Sequence, residues 1–322
     1  MQMQPSSAHA YIRSGQIPFF RLPCADLAAE ARARAEVDAV ILGVPWDGSV
    51  TYQPGARFAP YEVRRVSALV QPFHPRHRID VFQALRTVDG GNVAVPPFDP
   101  RGARQAIQGE VERILALGAR PFVVGGDHSV ALPVMRALAA RHGPLALVHI
   151  DAHADTSTSL IWGESIHHGT VIRNACDEGL VARGMLFQIG VRAPWGDRGD
   201  GDFARDQQAV VYAIDDVHDA GVGAIARAIV TAIGDRPTYL SLDIDGIDPA
   251  FAPGTGTPVP GGLTASEALR LLRSLAGLRL VGMDVVEICP ALDHADITVH
   301  LGAALLYEGL ALAALDRRAR TP

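Results

Sequence analysis

Histidine and aspartate residues recur in three short segments of the 322-residue sequence. The segments read GGDHS at 125–129, DAHAD at 151–155 and DIDGIDP at 243–249, and a fourth apolar run ends at Glu287. Their candidate metal ligands are His128, Asp151, His153, Asp155, Asp243 and Asp245. Carboxylate and imidazole groups without a thiolate suit manganese and its neighbours better than a structural zinc, and the histidines argue against calcium.

Carboxylates that meet at one site repel one another unless cations neutralise them. Two divalent ions would balance the four aspartates, and a water shared by the ions would become a hydroxide nucleophile at neutral pH. Asp248, before Pro249, is interpreted instead as a turn former, and Asp127 as a brace for its loop. His149 is interpreted as a packed or supporting histidine rather than a ligand.

Short apolar runs precede these segments and alternate with helix-like stretches, which predicts a parallel sheet with right-handed crossovers. The predicted strands are 37–44, 85–91, 121–126, 145–151, 186–191, 209–214, 238–245 and 280–287. The predicted helices are 101–117, 129–142, 221–233, 265–275 and 302–317. Ligands bind at the carboxyl ends of strands in such a sheet. Because alternate strand residues share a side, Asp151, His153 and Asp155 are expected to face the same way, as are Asp243 and Asp245.

Composition excludes several other classes of protein. The chain has 29 Lys+Arg and 35 Asp+Glu, a formal charge of −6 and no long basic run, which disfavours nucleic acid as a partner. Its three cysteines form no CxxC pair, and it shows no signal peptide and no apolar run of membrane-span length. We therefore expect a cytoplasmic protein with no membrane partner, in which an irregular segment, 1–36, precedes one catalytic domain, 37–322.

The three motifs resemble the signature segments of the ureohydrolase family, which includes arginase, agmatinase, guanidinobutyrase and proclavaminate amidinohydrolase. The third segment, SLDIDGIDPAFAPGTGTPVPGG at 241–262, is long and highly specific. GVPWDGSVTYQPGARFAP (43–60), HHGT (167–170) and MDVVEICPALD (283–293) are also similar, so the resemblance spans about 38–312. It implies an α/β fold of three layers, α-β-α, with an eight-stranded mostly parallel sheet, and a homotrimer or homohexamer.

The resemblance also implies a role for each candidate residue. One ion would be bound by His128, Asp151, Asp155 and Asp243, and the other by Asp151, His153, Asp243 and Asp245. The ions would be Mn²⁺, with Ni²⁺ or Co²⁺ as alternatives. His168, directly before GT, matches the family's proton-handling histidine, with His167 beside it as a decoy. Glu287 matches the carboxylate that grips the substrate guanidinium.

The expected activity is that of a ureohydrolase acting on C–N bonds in linear amidines. A metal-bridging hydroxide would attack a linear guanidino compound, such as agmatine or 4-guanidinobutyrate, to release urea and a primary amine. Alternatives are guanidinopropionate, an alkylguanidine, a proclavaminate precursor or formiminoglutamate as substrate, and a metal-bound subunit without turnover.

The loop between Asp155 and His168 supplies the predicted substrate contacts. Its candidates are Ser157, Trp162 and Glu164. Ser157 stands where the arginase branch has an Asn that helps to hold the α-carboxylate, so a substrate other than arginine is expected. Leu160, Ile161 and Trp162 would line an apolar channel. If Glu164 faces this channel, it would favour a terminal ammonium group; if it faces solvent, the alternative is a carboxylate end held by another residue such as Arg192.

Overall fold

The structure is a computed structural model that describes residues 17–25, 36–158, 160, 163–195 and 198–320. The segment predicted to be irregular, 1–36, lies largely outside these residues. Its described part, 17–25, contains a 3₁₀ turn at Phe19–Arg21. Phe19 and Phe20 are fully buried in this turn, so this part of the chain contributes to the core.

The centre of the fold is an eight-stranded sheet. Its strands are β1 (Ala39–Gly43), β2 (Thr87–Asn92), β3 (Arg120–Val124), β4 (Leu145–Ile150), β5 (Val181–Val191), β6 (Val210–Ala213), β7 (Pro237–Asp243) and β8 (Arg279–Val286). The spatial order is β2-β1-β3-β8-β7-β4-β5-β6, and every neighbouring pair is parallel. The eight predicted strands and the predicted fold class are therefore confirmed.

Ten α-helices connect the strands in the described part of the chain. They are α1 (Ala59–Ser67), α2 (Val81–Ala84), α3 (Pro100–Ala116), α4 (Ala131–His142), α5 (Val171–Asp177), α6 (Gly199–Gln207), α7 (Ile214–Ala220), α8 (Val222–Ile233), α9 (Ala265–Ser274) and α10 (Ile297–Arg320). The five predicted helices correspond to α3, α4, α8, α9 and α10. The other five were not predicted, because each has fewer than ten residues and too few turns to display a helical period.

Alternating strand residues divide the core into two layers, one on each face of the sheet. Phe122, Val148 and Leu240 belong to a cluster that includes residues of α8, α9 and α10. The neighbouring residues Val123 and Tyr239 point to the other face and pack with residues of α3, α4 and α5. This division is the expected consequence of the two-residue period of a strand, and it produces the three-layer architecture.

Helix α10 is long and apolar enough, by composition alone, to cross a membrane. Its most apolar window is 83% buried inside the fold, as in a core helix of a globular protein. The sequence-based expectation that no apolar stretch approaches membrane length was therefore wrong for Ile297–Arg320. The stretch is apolar because it packs against the sheet and against α1 and α9, as the contacts between these elements show.

One glycine explains the close approach of two strand ends next to the predicted site. Gly126 follows β3, and a Cβ atom added there would lie 1.4 Å from the carbonyl oxygen of Trp46. That same carbonyl accepts a 2.8 Å hydrogen bond from the amide of Asp127. A side chain at position 126 would force the segments after β1 and β3 apart, so the GGDHS motif requires glycine at this position.

Candidate metal centre

The predicted metal ligands and the predicted substrate-binding Glu287 converge at the carboxyl ends of four adjacent strands in the middle of the sheet. His128 follows β3, Asp151 follows β4, Asp243 ends β7 and Glu287 follows β8. This is where an open α/β sheet binds its ligands. All four side chains are at most 5% exposed, so the site lies below the protein surface.

The first group of potential ligands surrounds the imidazole of His128. Its Nδ1 lies 3.1 Å from Asp151 Oδ2, 3.0 Å from Asp155 Oδ2 and 3.3 Å from Asp243 Oδ2. It is fully buried and has no hydrogen-bond partner. An imidazole nitrogen that faces three carboxylate oxygens in a buried site requires a proton or a metal cation between them.

The tautomer of His128 is determined on the opposite side of the ring. Its Nε2 lies 2.9 Å from Ser241 Oγ, and Ser241 Oγ donates a 2.8 Å hydrogen bond to Asp284 Oδ1. Because the serine proton is directed to Asp284, Nε2–H of His128 donates to Ser241. In the neutral ring, the Nδ1 lone pair then points at the three carboxylates, which is the form of histidine that binds metals.

The second group of potential ligands shares Asp151 with the first. His153 Nδ1 lies 3.4 Å from Asp151 Oδ1 and 3.0 Å from Asp245 Oδ2. Nitrogen or oxygen atoms of Asp151, His153 and Asp245 all lie within 4.8 Å of one another. The six predicted ligands are thus brought together, and Asp151 contacts members of both groups.

The residues converge for a different reason from the one inferred from the sequence. Strands β4 and β7 end at Ile150 and Asp243, so strand alternation does not orient the residues that follow. Asp155 has a left-handed backbone conformation with φ of +54°. Asp245 lies in a 3₁₀ turn, and its backbone amide donates a 2.8 Å hydrogen bond to Asp243 Oδ1. Turns beyond the strand ends, rather than the pleat of the sheet, bring these carboxylates together.

The pKa values reflect the crowding of like charges. Burial and the charge of Asp151 raise the pKa of Asp245 to about 6. Burial and the charges of Asp245 and Asp151 raise the pKa of Asp243 well above its usual range. Burial opposes protonation of His153, but hydrogen bonds to Asp151 and Asp245 outweigh it and raise its pKa to about 12. In the absence of metal, protons therefore provide the positive charge that this site requires.

His149 supports Asp151 from behind the site. Gln188 Nε2 donates a 3.0 Å hydrogen bond to His149 Nδ1, so His149 Nε2 carries the ring proton and donates to Asp151 Oδ2 at 2.9 Å. A histidine that donates in this way has no lone pair for a metal ion on that nitrogen. Its placement agrees with its interpretation as a supporting residue.

The two predicted catalytic residues contact each other. His168 Nδ1 lies 2.9 Å from Glu287 Oε1, and the same oxygen accepts a 2.8 Å hydrogen bond from the amide of His128. On the other side of the ring, Nε2 of His168 accepts from the Thr51 amide at 3.1 Å and lies 2.7 Å from Thr51 Oγ1. Burial opposes protonation of His168, but Glu287 outweighs it and raises the pKa to about 9.

The predicted substrate contacts separate into two cavities. Ser157 lines a cavity of about 150 Å³ together with the metal-site residues His153 and Asp155. Glu164 lines a different cavity of about 380 Å³ beside His167. Its carboxylate lies 3.4 Å from Arg104 Nη2, so its charge is engaged in an ion pair. Trp162 and Ile161 lie outside the described residues, and Leu160 is 66% exposed.

Arg192 does not hold a carboxylate end in the way the sequence suggested. Its guanidinium donates to backbone carbonyl oxygens, including that of Asp245 at 2.7 Å. By contrast, Asp127 and Asp248 have the structural roles expected of them. Asp127 accepts from the amides of Ser49 and Ser129, and Asp248 accepts from three loop amides.

Several residues of the site were not predicted from the sequence. They are Thr51, Gln188, Asp200, Ser241, Thr257 and Asp284. One signal was available for Asp284, because a carboxylate inside an apolar strand must have a buried partner. Thr51 and Ser241 gave no such signal, since hydroxyl residues are common in loops and strands.

Comparison with known proteins agrees with this geometry. Residues 37–311 match the arginase family. Proclavaminate amidinohydrolase from Streptomyces clavuligerus is 40% identical over 95% of this chain and 97% of its own length. Its solved structure has a TM-score of 0.87 at 39% identity and covers 94% of this chain and 99% of that one.

Two further relatives carry different names. Guanidinobutyrase from Pseudomonas aeruginosa is 39% identical over 95% of both chains. An agmatinase from Enterobacter is 40% identical over 88% of this chain and 90% of its own. The chain belongs to the arginase family, and these relatives are ureohydrolase enzymes. The family and enzyme class predicted from the sequence motifs are thereby confirmed.

Proposed function

We propose that the protein is a two-metal hydrolase that cleaves a linear guanidino compound to urea and a primary amine. The observation that supports this most strongly is the unpartnered Nδ1 of His128, which faces three carboxylate oxygens at 3.0–3.3 Å. The donor set of imidazole and carboxylate groups fits Mn²⁺, Ni²⁺ or Co²⁺, and we propose Mn²⁺ as the native ion.

The two groups of ligands would each bind one ion. His128, Asp151, Asp155 and Asp243 would hold the first, and Asp151, His153, Asp243 and Asp245 the second. When bound, a pair of divalent ions lowers the pKa of water so that it attacks at neutral pH. Ser241 and His149 would fix the orientation of ligands from outside the site, as supporting partners of metal ligands commonly do.

Glu287 and His168 would position the substrate and transfer protons. Oε1 of Glu287 is occupied by the His128 amide and by His168, so we assign Oε2 to the N–H groups of the guanidinium. A carboxylate and a planar guanidinium form charge-assisted hydrogen bonds, which would hold the carbon in place for attack. His168, with Nδ1–H directed at Glu287, would take up at Nε2 a proton released by the attacking water, in place of the hydrogen bond that Nε2 accepts from the Thr51 amide, and would deliver this proton to the departing amine.

The cavity next to the metal site supports a substrate with a positively charged tail. Its lining includes Asp155, Ser157, Trp195 and Asp200. Asp200 Oδ1 accepts a 2.6 Å hydrogen bond from Thr156, and in the described ranges no basic side chain forms an ion pair with Asp200. A carboxylate and a half-exposed indole ring at one opening can both attract an ammonium group. We therefore propose agmatine ahead of 4-guanidinobutyrate.

A urea-release screen tests the proposal. Metal-free protein would be reloaded separately with Mn²⁺, Ni²⁺, Co²⁺ and Zn²⁺ and assayed for urea on agmatine, 4-guanidinobutyrate, 3-guanidinopropionate, arginine and butylguanidine. Formiminoglutamate would be assayed for formamide, the product of formimino hydrolysis. We expect urea from agmatine with Mn²⁺ and a lower kcat/KM for arginine. Hydrolysis of formiminoglutamate alone would contradict the guanidino assignment. The absence of turnover on every substrate, with metal bound, would instead support a non-catalytic subunit.

A further inference from the structure

Arg192, the first residue after β5, has an unusual set of partners. Its guanidinium donates six hydrogen bonds to five backbone carbonyl oxygens. The acceptors are Val259 (3.1 Å from Nε and 2.6 Å from Nη2), Pro260 (3.2 Å), Gly190 (3.1 Å), Gly246 (3.2 Å) and Asp245 (2.7 Å). Within the described residues, it forms no ion pair with a carboxylate. All its N–H directions are thus used on the main chain.

The five carbonyls belong to three separate segments at the carboxyl edge of the sheet. Gly190 is near the end of β5, Asp245 and Gly246 form the turn after β7, and Val259 and Pro260 lie in the long loop before α9. Arg192 therefore joins the main chain of a predicted metal ligand, Asp245, to two neighbouring segments. Removing the guanidinium would take one donor from each of these carbonyls, including that of the buried Asp245.

The side chain of Asp245 is also held by hydrogen bonds to neighbouring segments. Its Oδ1 accepts a 3.1 Å hydrogen bond from the Ala152 amide, and its Oδ2 accepts from Thr257 Oγ1 at 3.2 Å. The carbonyl of Ala152 in turn accepts from the amide of Arg192 at 2.9 Å. Arg192 and Thr257 therefore fix Asp245 from two sides, and the segment that carries Asp151 and His153 is fixed with it.

We propose that Arg192 is a positioning residue for the ion that Asp151, His153 and Asp245 would bind. The inference rests on the proposed two-metal centre. It assigns Arg192 no contact with substrate, since its N–H groups are already engaged. The ion of the His128 group depends less on Arg192, because His128 and Asp155 lie on segments that its side chain does not contact. Lysine cannot replace this function, because a single ammonium group lacks the planar fork that reaches several carbonyls at once.

Manganese titration of the full chain tests the proposal. Arg192→Lys keeps the charge and loses the fork, Arg192→Met loses both, and Arg136→Met serves as the control. Arg136 is a partly exposed arginine on α4 that pairs with Glu178, on another part of the fold. The readouts are the affinity of each of the two Mn²⁺ ions and the electron paramagnetic resonance spectrum, which distinguishes a coupled manganese pair from a single ion. Circular dichroism and Tm establish folding.

We expect wild type and Arg136→Met to bind two ions and give the spectrum of a coupled pair. Both Arg192 variants should bind one ion with nearly unchanged affinity and the other about 10- to 100-fold more weakly, the usual cost of losing a supporting partner. If Arg192→Met does not fold, Arg192→Lys alone provides the test.

Three results would overturn the inference. The first is wild-type affinity for both ions in a folded Arg192→Met variant. The second is an equal loss of affinity for both ions in the Arg192 variants together with a lower Tm. The third is wild-type affinity for both ions in Arg192→Lys, which would show that the positive charge alone suffices. If wild-type protein bound no ion pair and released no urea, the proposed function itself would be refuted. If the wild type binds two ions and releases urea, the proposed function holds, and the Arg192 variants then test only the positioning role of Arg192.

Discussion

The pair of histidines at 167 and 168 permits a stringent test of the proposed proton transfer. In His168→Ala, the imidazole between Glu287 Oε1 at 2.9 Å and Thr51 Oγ1 at 2.7 Å is lost, while the contacts of the six predicted metal ligands remain. General acid–base catalysis is worth about 100- to 10,000-fold in rate, or about 3–5 kcal/mol. We therefore expect kcat for urea release to fall by about that factor, with two metal ions still bound.

His167→Ala is the matched control. His167 is also buried, but it lines the cavity that contains Glu164, and its ring centroid lies 6.3 Å from that of His168. Its replacement by alanine should lower Tm, because a buried side chain is lost, but should leave kcat close to that of the wild type. Urea release and bound metal would be measured on both variants at saturating agmatine. The reasoning is refuted if His167→Ala is the more impaired enzyme, or if His168→Ala loses its metal together with its activity.

Three further predictions follow from the contacts at the site. Asp200→Asn should lower kcat/KM for agmatine about tenfold, because a charge-assisted contact is lost, but leave that for butylguanidine unchanged; Asp202→Asn, on the same helix, should change neither, and equal losses on both substrates would count against a cationic tail. Metal loading at pH 7.5 should release at least two protons, because the pKa values of His128 and His153 are raised in the metal-free protein (to about 12 for His153), and ionisation of a metal-bound water would add a further proton. Affinity should therefore fall as pH falls, and a pH-stat titration without proton release would contradict this. Ser241→Ala should weaken metal binding about 10- to 100-fold, because His128 loses the acceptor of its Nε2 proton; unchanged affinity by titration would remove Ser241 from the supporting role.

The sequence predicted the fold well because its signals were long and repeated. Runs such as 145–151 and 238–245 are apolar on both faces, and only a sheet covered by helices on both sides buries such strands. Their observed ends, Ile150 and Asp243, differ from the predicted ends by one and two residues. That small error matters at the site, because the ligands lie in the turns that begin there.

The sequence also identified residues that meet in space, but not what they contact. The spacing of Asp151, His153 and Asp155 indicated a shared site, although the left-handed backbone of Asp155 could not be predicted. The contact between His168 and Glu287 joins residues 119 positions apart, and no local pattern encodes such a distance.

Substrate-facing residues were the least predictable part. Glu164 and Arg192 were both given charge-recognition roles from residue type alone. The structure pairs Glu164 with Arg104 and directs Arg192 to main-chain carbonyls. The charge of a side chain shows what it can bind, whereas its existing partners determine whether it is available. Asp200, which lies 44 positions from its partner Thr156, became a candidate only through the fold.

The most direct test of the two-metal centre is a combined measurement of bound metal and urea release on Asp151→Ala. Asp151 lies 3.1 Å from His128 Nδ1 through one oxygen and 3.4 Å from His153 Nδ1 through the other. Its loss should leave both ions short of a ligand, so metal content by mass spectrometry and urea release should fall together, relative to a wild type with two ions per chain. An Asp151→Ala protein that retains two tightly bound ions and near-normal turnover would contradict the account.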